Sequence, residues 1–169
     1  SAKVGALRLF PGISAEFVRA AWHTGLRHFG ENRIQDAQPK IASLADMTDV
    51  TWHLVGHLQT NKVKAALQLF DLVQSVDSLR LAEAVARRAG KPGVRVLLEV
   101  NVSGEASKYG FHPEELPEAL RTLRALPELA VEGLMTVAPE TDDPETVRPI
   151  FHRLQELSGA FGLRELSMG

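Results

Sequence analysis

Three short polar segments of the chain contain residues that could bind a small molecule. Each carries side-chain amides, carboxylates or an imidazole that can form hydrogen bonds, and glycines that let the backbone approach a ligand closely. All three follow short apolar runs, so they are expected at the ends of strands. We therefore predict that they share one small-molecule site. The segments are residues 29–33 (FGENR), 56–62 (GHLQTNK) and 102–110 (VSGEASKYG).

Other kinds of chemistry have weaker support in the sequence. His53 and His57, two of six histidines, are four residues apart in a predicted strand, a separation of roughly 13 Å that is too long to share a metal ion. No HExxH or GxSxG motif is present, which argues against a zinc protease and a serine hydrolase. The chain has no cysteine, which excludes disulfides and thiol nucleophiles. We expect no metal site.

The size and composition of the chain are those of one globular domain. Its 169 residues include 44% hydrophobic and 24% charged residues, so residues 1–169 are predicted to form a single domain with its own core. A net charge of -2 gives no reason to expect nucleic acid or a membrane surface as partner. No apolar run approaches the roughly 20 residues that span a bilayer, and no signal peptide is recognisable. We expect a cytoplasmic protein.

The polar segments are positioned by an alternation of short apolar runs with stretches of helical periodicity. This order predicts seven strands separated by six helices, and hence a parallel α/β sheet. An open doubly wound sheet and a closed barrel both fit. The barrel is favoured because no glycine-rich phosphate loop follows a strand, and because polar residues lie at the carboxyl ends of strands, where barrels build their sites. These residues are Asn32, His57, Ser75, Asn101 and Thr136.

Several residues are predicted to begin helices. Ser14, Thr60 and either Asp77 or Ser78 precede helical stretches and have side chains suited to accept from a free backbone N–H, as an N-cap does. Asn32 could act in the same way, although its position at a strand exit favours a ligand contact.

At these same polar segments the sequence resembles the pyridoxal phosphate homeostasis protein family, which is grouped with the barrel domain of alanine racemase. The resemblance runs over nearly the whole chain from residue 14 onward, in several long motifs in the same order. The matching stretches are residues 28–35 (HFGENRIQ), 52–62 (WHLVGHLQTNK), 75–78 (SVDS), 100–110 (VNVSGEASKYG), 133–139 (GLMTVAP) and 166–169 (LSMG).

The resemblance implies a modified (β/α)8 TIM barrel that holds pyridoxal 5′-phosphate (PLP) as a Schiff base on a lysine at the end of the first strand. It also implies a cofactor carrier that supplies PLP to apo-enzymes and has no robust turnover of its own. An amino-acid racemase or decarboxylase on the same barrel is the alternative. A racemase needs a second acid/base, a tyrosine from an added β-domain, whereas the single tyrosine here, Tyr109, lies in a barrel loop. A barrel that binds no cofactor is a third reading. We expect a monomer.

The chain departs from the family pattern at both ends. The family carries an A-V-[ST]-K run in its first strand, but residues 5–10 read GALRLF. Either Lys3 forms the Schiff base, or a short piece is missing between Leu9 and Phe10, which is the explanation we favour. After Ser167 and Gly169, which would bind phosphate, the family continues to an arginine-glycine strand. We therefore expect the barrel to be incomplete in this chain.

The remaining candidate residues carry less certain roles. Asn101 and Met135 point either into the barrel core or at the cofactor ring, and the motifs do not decide between the two. His57 and Lys108 are candidate ligand contacts, although solvated loop residues of these types are common.

Overall fold

Parallel strands alternate with helices along the whole described chain. The computed structural model describes residues 8–9 and 12–169. The strands are β1 (Arg8–Leu9), β2 (His28–Glu31), β3 (Thr51–Leu54), β4 (Leu72–Val76), β5 (Val94–Glu99), β6 (Leu129–Thr136) and β7 (Glu165–Met168). The helices are α1 (Ala15–His23), α2 (Ile34–Ser43), α3 (Val63–Leu69), α4 (Leu79–Arg88), α5 (Leu116–Arg124) and α6 (Pro144–Ala160), with short 3-10 turns at Thr60–Lys62 and Pro113–Glu115.

The seven strands form one parallel sheet in the order in which they occur in the sequence, from β1 to β7. Sequential order with a helix after each of the first six strands is the order of a (β/α) barrel and not of a doubly wound sheet. Among the residues that the structure describes, β1 pairs only with β2 and β7 only with β6. The fold is thus a curled, incomplete (β/α) barrel, which confirms the predicted fold class.

Alternation along each strand divides the apolar residues between two layers. Side chains such as Phe29, Leu54, Leu98 and Leu134 pack with the helices in the main core. A second, smaller cluster of Val55, Leu72, Leu97 and Met135 faces the inside of the barrel. Successive residues of a strand point to opposite faces of the sheet, so each strand contributes to both layers. This leaves alternate positions of β4 and β5 free to carry polar side chains inward.

The predicted helix starts are partly confirmed. Ser14 accepts from Phe17 N at 3.3 Å, and Ser78 accepts from Leu81 N at 3.2 Å. The prediction for Thr60 is wrong, because a 3-10 turn begins at that residue and Gln59 precedes it without a side-chain cap. Arg33, not Asn32, precedes α2. In the described part of the chain, no helix is both long and apolar enough to cross a membrane.

Candidate functional site

A cavity of about 1140 Å³ occupies the inside of the barrel and opens at the carboxyl ends of the strands. Its walls include residues from the beginnings of strands, such as His28 and Arg95, and residues from their exits, such as Asn32 and Thr136. Its volume lies just above the range of about 300–1,000 Å³ that is usual for small-molecule pockets. The cavity therefore lies where a (β/α) barrel holds its ligand.

The polar segments predicted from the sequence converge on this cavity. Each of the three contributes to the lining, through Asn32 and Arg33, through Gly56 and His57, and through residues 107–109. Lys3 lies outside the described residues. The other six candidate residues line the cavity together, namely Asn32, His57, Asn101, Met135, Ser167 and Gly169.

The exit of β2 is held in place by a glycine of the β3 exit and by a buried ion pair with α2. A Cβ atom added at Gly56 would lie 2.1 Å from the carbonyl oxygen of Asn32, so only glycine fits beside the β2 exit. Glu31, next to Asn32, is buried and accepts from Lys40 Nζ of α2 at 2.5 Å. These two contacts fix the backbone that carries Asn32 into the cavity.

The loop after β5 is organised around Asn101. The Asn101 Oδ1 atom accepts from Gly104 N at 3.0 Å and from Ser103 Oγ at 3.3 Å, while Nδ2 donates to the carbonyl oxygen of Glu105 at 2.8 Å. Both ends of the amide are thus engaged within the loop. Asn101 lines the cavity, but its hydrogen-bonding groups shape the segment that carries Lys108 into the lining.

Side chains from three strand exits and a backbone carbonyl from a fourth join above the cavity. His57 Nδ1, after β3, lies 3.2 Å from Asp77 Oδ2, after β4. The His57 ring stacks on Tyr109, with centroids 3.9 Å apart and planes 14° apart. Lys108 Nζ donates to the carbonyl oxygen of Val137, after β6, at 3.1 Å. The opening of the cavity, which we call the mouth, is therefore bordered by loops that contact one another.

A chain of hydrogen bonds crosses the barrel wall below the mouth. Gln74 Nε2 is 2.8 Å from His53 Nδ1, and His53 Nε2 is 3.0 Å from His28 Nδ1. Because an amide nitrogen only donates, His53 Nδ1 accepts and its Nε2 donates to His28. Burial, with smaller contributions from His28 and Arg95, lowers the pKa of His53 to about 4. His53 is therefore neutral near pH 7.

Glu99 on β5 is a buried carboxyl directed into the cavity. It is 8% exposed, and its side chain has no hydrogen-bond or ion-pair partner among the described residues. Burial raises its pKa to about 7, and the nearby charge of Asp77 acts in the same direction. Strongly perturbed carboxyls in clefts are candidate functional groups.

The sequence reasoning missed three inward-facing residues, His53, Gln74 and Glu99. The sequence does contain a signal for two of them, because Gln74 and Glu99 are polar residues inside largely apolar strands. Glu99 also lies two positions before Asn101, and hence on the same face of the sheet. The contact of His53 with His28 depends on the strand register, in which His28 pairs with Thr51 and Gly30 with His53.

The β6–β7 edge of the cavity carries Ser167 and Gly169. The Gly169 N–H donates to the carbonyl oxygen of Thr136 at 3.2 Å, so it serves strand pairing. The Ser167 hydroxyl lines the cavity and has no partner within the described segments. A Cβ atom at Gly133 would lie 1.9 Å from the carbonyl oxygen of Glu165, which keeps β7 close to β6. The described residues contain no group of three or more His, Cys, Asp or Glu side chains that could hold a metal ion.

Comparison with known proteins agrees with this architecture. The family described as "Alanine racemase, N-terminal domain" matches residues 12–168. Fold and cavity thus define a barrel of the alanine racemase N-terminal type.

Individual relatives show which family of such barrels the chain belongs to. The chain is 41% identical over 165 residues to the pyridoxal phosphate homeostasis protein of Aquifex aeolicus, covering 93% of this chain and 72% of the relative. It is 42% identical over 172 residues to the protein of the same name from Pseudomonas aeruginosa, covering 99% and 74%. The structure of PipY from Synechococcus elongatus with PLP bound superposes with a TM-score of 0.83 at 36% identity, covering 97% of this chain and 81% of PipY. The chain belongs to the pyridoxal phosphate homeostasis protein family, which confirms the resemblance.

Proposed function

We propose that this chain binds PLP in the barrel cavity, holds it as a Schiff base on a lysine, and supplies it to apo-enzymes without turnover of a substrate. Residues 1–169 are proposed to act as one monomeric cofactor-binding domain in the cytoplasm. The observation that carries the proposal is that candidate residues from the exits of β2, β3, β5, β6 and β7 line one cavity. The PLP-bound structure of PipY, a similar chain, supports it.

The residues of the cavity fit the chemistry of PLP. The apolar cluster that includes Leu97 and Met135 offers a surface for the ring. The Ser167 hydroxyl is available to donate to a phosphate oxygen, and Gly169 beside it leaves room because it lacks a side chain. Gln74 Oε1 is a buried acceptor without a partner among the described residues, as expected at a site that a ligand completes. PLP supplies an aldehyde that condenses with amines.

The remaining proposed contacts come from the mouth. We propose that Asn32 contacts the ligand through its amide, and that His57, oriented by Asp77 and stacked on Tyr109, covers it. Asn101 acts by shaping the loop beside the ligand.

If no piece is missing between Leu9 and Phe10, the lysine that bonds to the aldehyde is proposed to be Lys3, which alone among the lysines precedes α1. Among the described residues, Lys108 is the lysine that lines the cavity, but its Nζ is engaged with the Val137 carbonyl oxygen and lies 3.8 Å from Glu105 Oε1. A lysine attacks an aldehyde through a free amine, and these two contacts hold the Lys108 amine away from that role. These contacts argue against Lys108.

The carrier role is proposed over a racemase or decarboxylase. A racemase needs a second acid/base group facing the first across the ligand. The single tyrosine, Tyr109, is half exposed and its ring lies flat on His57, an arrangement suited to covering the cavity. The names of the relatives refer to homeostasis and not to a reaction.

The proposal is tested by titrating the protein with PLP and following absorbance, then reducing with borohydride and mapping the modified lysine by mass spectrometry. We expect a Schiff-base band and a modified Lys3, with loss of both in Lys3→Ala and retention in the surface control Lys64→Ala. Absence of any band refutes PLP binding. Modification of Lys108 instead would reassign the lysine. Racemisation of alanine at ordinary enzymatic rates would overturn the carrier role.

A further inference from the structure

The stacked rings of His57 and Tyr109 bridge the mouth of the cavity. Both residues line the cavity, and their ring centroids are 3.9 Å apart with planes 14° apart. The rings come from the exits of β3 and β5, which are not neighbours because β4 lies between them. Adjacent strands are about 4.8 Å apart, so the stack spans roughly 10 Å across the β4 exit. A molecule that enters the cavity beside β4 therefore meets these two rings.

His57 is the anchored half of the stack. Its Nδ1 atom lies 3.2 Å from Asp77 Oδ2, and the Asp77 side chain is only 12% exposed. The other carboxylate oxygen, Oδ1, accepts from Ser78 Oγ at 3.0 Å, and Ser78 is the N-cap of α4. Hydrogen bonds to an ionised group are among the stronger ones in proteins. Asp77 therefore fixes the imidazole to the β4 exit.

Tyr109 is the half whose ring can turn away, although its backbone is held on both sides. The Asn101 Nδ2 atom donates to the carbonyl oxygens of Glu105 and Lys108, at 2.8 and 3.5 Å. A Cβ atom at Gly110 would lie 2.7 Å from Asn101 N, so the residue after Tyr109 is closely packed. Tyr109 itself is 57% exposed, and its hydroxyl makes no hydrogen bond to the described residues. Because exposed side chains change rotamer rapidly, the stack is the contact that keeps this ring over the cavity.

We propose that the Tyr109 ring is a gate to the cavity, closed when it stacks on His57 and open when it turns into solvent. This inference rests on the proposed function, since PLP is the molecule that the gate admits and retains. An aromatic pair of this kind favours the closed state by about 2- to 12-fold. The closed ring shields the aldehyde from water and from other amines, so the carrier keeps its cofactor between recipients.

A gate has a kinetic signature that differs from that of a ligand contact. The stack joins two residues of the protein, so it closes over the empty and the filled cavity alike. A ligand passes only through the open state, and kon and koff therefore both scale with the open fraction while Kd stays constant. Removing a side chain that contacts the ligand mainly raises koff and weakens binding. The two roles are thus separable by experiment.

The first test measures both rates with pyridoxine 5′-phosphate, whose alcohol cannot form a Schiff base, so no covalent step limits release. Stopped-flow association and displacement give kon and koff. We expect Tyr109→Ala and His57→Ala each to raise both rates by the same factor, about 3- to 13-fold, because the open fraction rises to nearly one. Phe17→Ala is the matched control. It removes an exposed ring of α1 that does not line the cavity, and both rates should stay at the wild-type value.

The outcomes separate the gate from the proposed function. A rise of koff alone in Tyr109→Ala would make this residue a ligand contact, and unchanged rates would make it a surface residue. Either result refutes the gate and leaves PLP binding intact. If the wild type binds neither PLP nor pyridoxine 5′-phosphate, the proposed function fails and the gate fails with it.

A second measurement needs no ligand and keeps the gate testable if pyridoxine 5′-phosphate does not bind. Tyr109 is the single tyrosine of the chain, so incorporation of 3-fluorotyrosine places one ¹⁹F label on the gate. We expect His57→Ala to move this resonance to the position of an exposed tyrosine, because the ring current of the imidazole is lost. An unchanged resonance means that the rings do not stack in solution and overturns the gate.

Discussion

Replacing Lys40 with methionine should strongly destabilise the fold, because it leaves a buried carboxylate without its partner. The Lys40 and Glu31 side chains are only 10% and 4% exposed, and Nζ and Oε1 are 2.5 Å apart. Glu31 is the last residue of β2, so its carboxylate cannot reach solvent without moving the strand exit. Methionine keeps the length of the apolar stem but provides no donor.

The expected size of the effect follows from that burial. Removing one partner of a buried ion pair costs about 3–5 kcal/mol. For a domain of this length, each kcal/mol corresponds to about 2–4 °C in Tm, so Lys40→Met should lower Tm by roughly 6–20 °C. Urea unfolding followed by far-UV circular dichroism gives the free energy, and a thermal melt gives Tm.

The double variant Glu31→Gln/Lys40→Met removes both charges and should recover most of the loss, to within about 1 kcal/mol of the wild type. Arg121→Met is the matched control, since its partner Glu118 is exposed and the side chains are 71% and 67% accessible. An exposed pair of this kind contributes less than about 1 kcal/mol. The reasoning fails if Lys40→Met costs no more than Arg121→Met, or if the double variant is no more stable than Lys40→Met alone.

Three further predictions concern the cavity wall. Gly56→Ala should lower the free energy of unfolding by about 1–3 kcal/mol, as overpacking does, because its Cβ would lie 2.1 Å from the Asn32 carbonyl oxygen; a neutral effect in urea unfolding would contradict this. His53 should titrate by NMR with a pKa of about 4, so the folded state loses stability as the pH falls from about 6.5 to 4; a normal pKa would contradict its burial. The pKa of Glu99 is raised to about 7. The free energy of unfolding of the wild type should therefore fall by up to about 3 kcal/mol as the pH rises from about 4.5 to above 7. Glu99→Gln should not show this fall.

The sequence predicted the order of the elements and the residues at the strand exits, because both depend on local signals. Apolar runs mark the strands, and parallel strands bring their carboxyl ends to one edge. Contacts between strands could not be predicted in the same way. The approach of His53 to His28, and of Asp77 to His57, depends on register and loop conformation. The predicted cap at Thr60 failed for a related reason, since a 3-10 turn begins there instead of the α-helix.

Asn101 shows the limit of assigning roles by position alone. Its place at the end of β5 made a ligand contact and a core position equally reasonable, and it does line the cavity. Yet both amide atoms are engaged by residues of its own loop. The residue type and the strand position were readable from the sequence, whereas the partner that satisfies each polar atom was not.

Buried polar groups of this barrel differ in whether the described residues supply a hydrogen-bond partner. On the side of the sheet that faces the helices, the buried carboxylate of Glu31 is satisfied by Lys40 of α2, as folding requires. Two buried atoms of β4 have no partner among the described residues, namely Gln74 Oε1, on the cavity wall, and Ser75 Oγ, which does not line the cavity. A fold under selection only for stability would fill such positions with apolar residues, because an unpaired buried polar group opposes folding. We therefore expect a ligand or an ordered water to complete the free acceptor of Gln74 on the cavity wall.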